Sequence, residues 1–490
     1  MTRRITIDPV TRLEGHGRIE IFLDEAGAVD RCFFQIPELR GFERFVVGRP
    51  IEELPQIVTR ICGVCPASHH LAAAKAVDGC FGGEVAPLAV KLRDMYYHAH
   101  FIHSHIAHFY LLAAPDFLCE PATPASLRNV FGVVNAVGDE AGRAVIRARA
   151  NAQRIQQVLG GRSTHPVWCL PGGVAKGLTR DELAEVTTLA DDVYDFVQFS
   201  LEFFRTAMLA SPGYLERVLH GPYTLNVQHM GLVDDNDAVS FSGGTVRVVD
   251  CEGREVYRYR PADYHRFVAE HVETWTYLKF PYLRARGWTG FVEGPASAVY
   301  CAGPLSRLNA AERMATPEAE AAREEFFDTL GGRPSAALLA QHWARLVEMV
   351  QNAEMLRLYC RDPEITSDAY RLVPSGITGE GVGIIEAMRG TLTHHYTCDA
   401  RGICTSANLI VGTTNNNAAL QMVTTKVARS VIRPGVEPDE AVLNRIEMAF
   451  RAFDPCFSCA THAAGTSGLW ARVWQDGRVR KEIRRVPSGS

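Results

Sequence analysis

Two short cysteine motifs constrain this chain more than anything else in it. They are Arg60-Ile-Cys-Gly-Val-Cys-Pro-Ala-Ser-His69 near one end and Asp454-Pro-Cys-Phe-Ser-Cys-Ala-Thr-His462 near the other. In a Cys-x-x-Cys loop the two intervening residues turn the backbone back, so both sulfurs can face one ion. Two such pairs, Cys62/Cys65 and Cys456/Cys459, offer four thiolates, enough to complete a site for Zn, Fe, Ni or Cu(I). A zinc ribbon places its second pair about 15–20 residues after the first. Here most of the chain lies between the pairs, so the fold itself must bring them together. Each loop also carries extra polar chemistry: Arg60 and Asp454 two residues before the first cysteine, and His69 or His462 beyond the second. A closed structural zinc site needs no arginine or carboxylate at its edge, whereas a redox or acid–base site does. Structural zinc and a thioredoxin-like dithiol at Cys62/Cys65 are the plainer alternatives, the second with only a weak βαβ context around it.

At 490 residues, 47% hydrophobic and 22% charged, the chain has the length for about three domains or one large one. A net charge of −5 gives no electrostatic case for nucleic acid or an anionic membrane as partner. Met1-Thr-Arg-Arg-Ile-Thr-Ile-Asp8 has no apolar signal region, and no run of about 18 apolar residues predicts a membrane span. Thirteen scattered cysteines in a chain of this size fit a reducing compartment, hence the cytoplasm, better than a disulfide framework.

Alternation over residues 5–23, around Gly15-His-Gly17, predicts a strand pair, with a third strand at 32–36. Helical spacing is read over 68–77, 88–112, 124–159, 179–209, 262–279, 316–360 and 438–452. The last of these stops at Pro455, just ahead of the second metal loop. Residues 222–259 read as a small β insertion, and 381–412 as a hairpin turning at Asp399-Ala-Arg-Gly402. There is no internal repeat and no Pro/Ser-rich linker. The expectation is an α+β, predominantly α fold: a large helical bundle core with small β appendages. Residues 1–462 would form one integrated domain and 463–490 a C-terminal extension, in which Leu469-Trp-Ala-Arg-Val-Trp474 alternates like a strand.

The two cysteine motifs resemble the paired signatures of [NiFe]-hydrogenase large subunits. Asp8-Pro-Val-Thr-Arg-Leu-Glu-Gly-His16, Arg40-Gly-Phe-Glu43, Gly303-Pro-Leu-Ser-Arg307 and Glu386-Ala-Met-Arg-Gly390 resemble further family motifs in the same order. The likeness runs from residue 6 to residue 462. His69-His-Leu-Ala-Ala-Ala-Lys75 and Lys279-Phe-Pro-Tyr-Leu283 are most similar to the cytoplasmic, bidirectional NAD-reducing group. The resemblance implies heterolytic cleavage of H2 at a Ni–Fe(CO)(CN)2 centre. It implies that all four cysteines ligate nickel, Cys62 and Cys456 terminally, Cys65 and Cys459 also bridging to iron. Glu14 would take the proton from a terminal cysteine. Arg389 would stand over the open metal face as a fixed cation, with Asp454 as its carboxylate neighbour. Glu43, His462 and the Leu409 carbonyl would hold a Mg2+ ion, Thr413 would contact a cyanide, and His69 would hydrogen-bond near a bridging sulfur. The bland readings are a turn carboxylate for Glu14, an ordinary ion pair for Arg389, a helix-end carboxylate for Asp454 and a loop histidine for His462. The cluster His98/His100/His103/His105/His108 reads as packing and proton conduction rather than metal ligation. Ser104 stands where many family members have Asp, and Met388 where proline is usual; both leave the tuning of rate, direction and oxygen response open.

The chain has no cluster-binding Cys-x2-Cys-x2-Cys-x3-Cys-Pro run and no GxGxxG fingerprint. Electrons would therefore leave through other polypeptides. The resemblance implies an Fe–S small subunit, flavin/NAD diaphorase subunits, and a maturation endopeptidase that removes 463–490 after His462. The alternatives are an H2-sensing regulatory hydrogenase, a zinc-binding scaffold subunit, and a metal-free relative of the quinone-reducing respiratory complex. Retention of all four cysteines argues against the last.

Overall fold

A computed structural model describes residues 4–119, 123–124, 126–210 and 212–461, together with the backbone of 469–475 and 478–485. Its centre is a bundle of long helices, Pro66–Cys80, Pro87–Ile106, Asp139–Gly160, Arg180–Phe203 and Gln341–Cys360. Local chemistry sets their ends. Proline opens the first two, where its missing N–H costs nothing. Thr179 and Glu182 form a reciprocal capping box on the fourth. Gly161, at φ 76°, closes the third with a left-handed cap. Pro66–Cys80 and Gln341–Cys360 are buried on almost every face, which makes them central helices rather than amphipathic covers. Buried apolar side chains form one large core from Ile7 to Ala460 and a second, smaller cluster that includes Met230, Val246, Tyr259 and Tyr300. Among the described residues, no helix is long and apolar enough to cross a membrane.

Three sheets of three or four strands frame this bundle. Arg4–Ile7, Arg18–Leu23 and Val29–Gln35 make the expected antiparallel meander. Its alternate residues Ile19, Ile21 and Leu23 are buried. The predicted β insertion is present as Gln228–Val233, Thr245–Val249 and Glu255–Tyr259, and it extends further than expected, because Tyr300–Cys301 pairs parallel to the first strand. Residues 380–410 form three strands, Glu380–Ala387, Gly390–Cys398 and Cys404–Ile410, where one hairpin was expected. The Asp399–Gly402 turn is as read, closed by Gly402 N–H to the Asp399 carbonyl at 2.9 Å.

Several expectations are corrected. Residues 262–279 are not helical: a 3-10 turn at Pro261–Arg266 leads into strand Val268–Val272, paired with Lys279–Leu283. Over so few residues a period of 3.6 and a period of 2 share most of their matches, and strand pairing decides. The 316–360 helix is two, Pro317–Leu330 and Gln341–Cys360, parted at Gly331 and Gly332, both at positive φ. The 124–159 helix starts only at Val130 and breaks at Gly138. Helix Asn417–Val431 went unread. Its opening Asn415-Asn-Asn417 looks like a loop. In the fold these amides are buried and donate to backbone carbonyls, Asn415 to Thr391 at 2.6 Å and Asn416 to Arg389 at 2.8 Å.

One packing contact orients the rest. Helix Pro66–Cys80 lies directly on the 380–398 strands, backbone against backbone. A Cβ on Gly381 would fall 1.9 Å from the Ala76 carbonyl oxygen, and one on Gly383 2.0 Å from that of Ala72. Only glycine permits this approach. The helix begins directly after the first cysteine loop, and the turn between the strands carries Arg389. Leu469–Gln475 and Arg478–Arg485 pair as an antiparallel hairpin, in line with the alternation read at 469–474.

Candidate metal centre

The first loop leaves a 3-10 turn, Val58–Ile61, and reaches Cys62 in extended backbone; Cys65 then caps helix Pro66–Cys80. The backbone N–H groups of Val64 and Cys65 point at Cys62 Sγ, at 3.2 and 3.4 Å. The second loop follows helix Glu440–Ala452 through Asp454, which takes the uncommon φ of 51°. Cys456 then pairs with Glu14 as a parallel bridge. The sulfurs of Cys62 and Cys456 are 3.2 Å apart, those of Cys65 and Cys459 3.3 Å, and those of Cys456 and Cys459 2.8 Å. All four ligand atoms lie within 4.8 Å of one another, and all four residues are buried. Thiol donation from Cys456, Cys459 and Cys65 holds Cys62 well below the usual thiol range, while burial pushes Cys456 and Cys459 well above it. A soft cation would replace the shared protons; no hard-metal geometry suits four sulfurs so placed.

Arg389 lies beside this cluster, with Nη2 3.2 and 3.1 Å from the two oxygens of Asp454. Burial alone would lower its pKa, but Asp454 and the sulfurs of Cys456, Cys65 and Cys62 outweigh burial and keep it charged. Its Nε and Nη1 are buried without a hydrogen-bond partner. Two orphan donors of a fixed cation beside four sulfurs fit a metal group that carries acceptor ligands of its own. Burial pushes Asp454 up, against the pull of Arg389 and Arg345.

The remaining predicted residues gather as follows. Glu14 Oε2 accepts from Cys456 Sγ at 2.9 Å. Thr413 Oγ1 accepts the Cys456 N–H at 2.9 Å, leaving its own proton to donate. His69 Nε2 is 3.5 Å from Cys459 Sγ, and its Nδ1 is 3.1 Å from His394 Nε2. Glu43 Oε1 accepts the Leu409 N–H at 2.8 Å. Burial pushes the Glu43 carboxyl up, with Lys279 opposing it. His462 lies outside the described residues. Each histidine of the 98–108 cluster has a protein partner: Asn352, Gln156, the Arg149 carbonyl, Glu348 and the Arg451 carbonyl in turn. Burial drives His100 down to about 3 and His103 and His105 to about 4. These are neutral, packed side chains.

Sequence reasoning missed three features. Ser458 looks like a spacer inside its Cys-x-x-Cys, yet its N–H donates to Glu14 Oε2 at 3.1 Å and its hydroxyl donates to Oε1. His394 sits in a strand that reads as ordinary alternation. Arg307, Glu348 and Glu386, each 0% exposed, form an ionic network behind Arg389. Arg307 Nη1 also donates to the Ala387 carbonyl at 2.8 Å. Arg307 and Glu386 belong to motifs that carry the family resemblance; Glu348 lies in a helix whose charges look solvated until its burial is known.

The model of the nickel-dependent hydrogenase family matches residues 40–123 and 144–462, and one described as HoxL-like matches 4–39. The chain is 43% identical to an F420-non-reducing hydrogenase iron-sulfur subunit of Archaeoglobus profundus, over 98% of this chain and 99% of that one. It is 36% identical to the NAD-reducing hydrogenase HoxS subunit beta of Cupriavidus necator, over 97% and 98%. A crystal structure of an NAD+-reducing [NiFe]-hydrogenase in the H2-reduced state superposes with a TM-score of 0.87 at 37% identity, covering 94% of this chain and all of that one. With four sulfurs converged on one point and the family match spanning most of its length, this chain belongs to the nickel-dependent hydrogenases and is the catalytic large subunit of a [NiFe] hydrogenase.

Proposed function

We propose that the four cysteines would hold the nickel–iron group, Cys62 and Cys456 as terminal ligands and Cys65 and Cys459 as shared ones, and that Glu14 would remove the proton released from H2. The observation that carries this is the 2.9 Å contact between Cys456 Sγ and Glu14 Oε2. When bound, the Ni–Fe(CO)(CN)2 group supplies the polarising site for H2 and takes up the electron pair. The chain's residues do the rest. Cys456 Sγ holds a proton within hydrogen-bond reach of a carboxylate that is half-buried, and so on the way to solvent. Arg389, fixed by Asp454, keeps two unpartnered donor atoms near the sulfur cluster and needs no reorganisation during the reaction. The Thr413 hydroxyl would donate to a cyanide, and His69 would orient the Cys459 sulfur, with His394 behind it setting the ring. Glu43, the Leu409 carbonyl and His462 would hold a hydrated Mg2+. Glu14→Gln tests the central claim. It should keep the infrared bands of metal-bound CO and CN− and lose most H2/D2O exchange; normal exchange would remove Glu14 from the reaction.

A hydrogenase large subunit implies a small-subunit partner. We place Fe–S clusters in that partner and NAD+ beyond it, through a flavin-bearing diaphorase, in the cytoplasm. The names of the relatives are compatible with this: one says that F420 is not reduced, the other that NAD is. H2-dependent reduction of NAD+, but not of F420, by the native complex is the expected result. Reduction of viologen alone would leave the acceptor elsewhere. We also assign 463–490 to removal on maturation after His462.

A further inference from the structure

We infer that Ser458 is the positioning residue for Glu14, an inference that rests on the reading of Glu14 as proton acceptor. A carboxylate on a turn has free rotation about its side-chain bonds, and only one of its oxygens can face a given sulfur. Here both oxygens are taken by one of the two residues between the cysteines of the second loop: Oε1 by the Ser458 hydroxyl and Oε2 by its backbone N–H at 3.1 Å. Oε2 keeps a second lone pair, which lies on Cys456 Sγ at 2.9 Å. The backbone is fastened as well, because the Phe457 N–H donates to the Glu14 carbonyl at 3.0 Å. Donor, clamp and acceptor are therefore set by three consecutive residues, 456 to 458, and they move together.

The glycines around Glu14 exist for the same contact. Gly15 takes φ +81°, and a Cβ there would sit 2.9 Å from the Ser458 nitrogen. A Cβ on Gly17 would fall 2.5 Å from the Phe457 ring. The Glu-Gly-His-Gly turn is laid flat on the second loop so that the carboxylate reaches across it. Ser458 is 8% exposed, so its hydroxyl has no bulk water to compete with Glu14. Replacing it with alanine keeps the N–H bond and the loop backbone but frees Oε1, so the carboxylate can rotate towards solvent.

The test is Ser458→Ala beside Glu14→Gln, in the native complex. In Ser458→Ala the infrared CO and CN− bands stay in place, showing a loaded centre. The H2/D2O exchange rate and kcat fall about tenfold to a hundredfold, as for one lost hydrogen bond to a charged group, while KM for H2 is unchanged. The solvent isotope effect on turnover rises, because proton transfer becomes slower than the steps that hid it. A crystal structure of the variant shows the Glu14 carboxylate beyond hydrogen-bond reach of Cys456 Sγ. If Glu14→Gln exchanges normally, the reading of Glu14 fails. If Glu14→Gln is impaired while Ser458→Ala keeps wild-type exchange, isotope effect and carboxylate position, Ser458 is only a spacer and this inference alone is overturned.

Discussion

Arg307→Met should be among the costliest substitutions in this protein, although Arg307 touches neither sulfur nor proton acceptor. Arg307 Nε and Nη2 bind the two oxygens of Glu348 at 2.6 and 2.8 Å, and Nη1 binds Glu386 at 2.8 Å. None of the three side chains is exposed. An exposed ion pair is worth about 0–1 kcal/mol. Removing one partner of a buried pair costs about 3–5 kcal/mol, because the remaining charge stays in low dielectric. Here two carboxylates would be stranded, so the upper part of that range applies. The bidentate partner gains most from the arginine: Glu348 is held below its usual pKa despite burial, whereas burial pushes Glu386 above its own. Without Arg307 both carboxyls would be raised. A carboxyl raised in the folded state binds more protons there than in the unfolded chain, so the variant loses stability as pH rises above the unfolded value near 4.5. The deficit against wild type should therefore be largest at about pH 8 and shrink towards about pH 5. Chemical or thermal denaturation of the two proteins across that range measures it. Adding Glu348→Gln and Glu386→Gln should recover part of the loss. A deficit below about 1 kcal/mol, or one independent of pH, would refute the claim that this network is dry and ionic.

Gly381→Ala should destabilise by about 3 kcal/mol or more, since its Cβ meets backbone that cannot move aside; Gly376→Ala, with nothing within 4 Å, is the matched control in the same melting experiment. His70 and His229 are neutral acceptors: His70 Nε2 takes the Cys169 N–H at 3.0 Å, and His229 Nε2 takes the Asn309 amide at 3.1 Å. Burial lowers both from 6.5 to about 4. The unfolded chain binds these protons first as pH falls, so stability is complete above about pH 6.5 and drops towards about pH 4, by up to about 3 kcal/mol per histidine. Denaturation midpoints against pH should show the slope, and His70→Gln should flatten it. Cys65→Ala should abolish nickel incorporation by elemental analysis and remove the CO and CN− bands. Intact mass of the mature subunit should end at His462; a loaded, active subunit still carrying 463–490 would refute the processing assignment.

The four cysteines that converge were legible in the sequence because their pairing is local: a Cys-x-x-Cys points its sulfurs the same way in almost any fold. The same holds for the first meander, whose alternation survives because one face is buried and the other is not. What stayed hidden was everything decided by long-range burial. Asn415–Asn417 and Gln421 received no reading, because nothing local says that backbone carbonyls wait to accept from them, as that of Cys32 does from Gln421 at 2.6 Å. Glu348 and Arg345 lie three apart on helix Gln341–Cys360, and nothing in that spacing tells a buried pair of charges from a solvated one. Val268–Val272 read as helix because five residues cannot choose a period. The likeness to a family named Arg307 and Glu386 without giving them a reason; the reason is a buried charge network that fixes the turn bearing Arg389.

The same distinction explains why so much ionic structure surrounds so small a site. The segment bearing Glu14 begins a chain whose second metal loop lies at residues 454–462, and no local interaction ties the two together. Thr11 donates its N–H and its hydroxyl to the two oxygens of Glu447, both at 2.9 Å. Arg12, at φ 56°, reaches the Leu112 carbonyl at 2.8 Å and Asp116 beside it. Arg451 then joins Asp116 at 2.6 Å to Glu447 at 3.0 Å. Glu447 and Arg451 lie one helical turn apart, on the helix that runs into Cys456. The segment bearing Glu14 and the helix leading to Cys456 are thus strapped at two charged points, each largely dry. An apolar contact there would bury area but would not fix register, whereas a paired guanidinium and carboxylate has one geometry. A separation of 2.9 Å between Glu14 and Cys456 needs that kind of restraint from both sides of the gap.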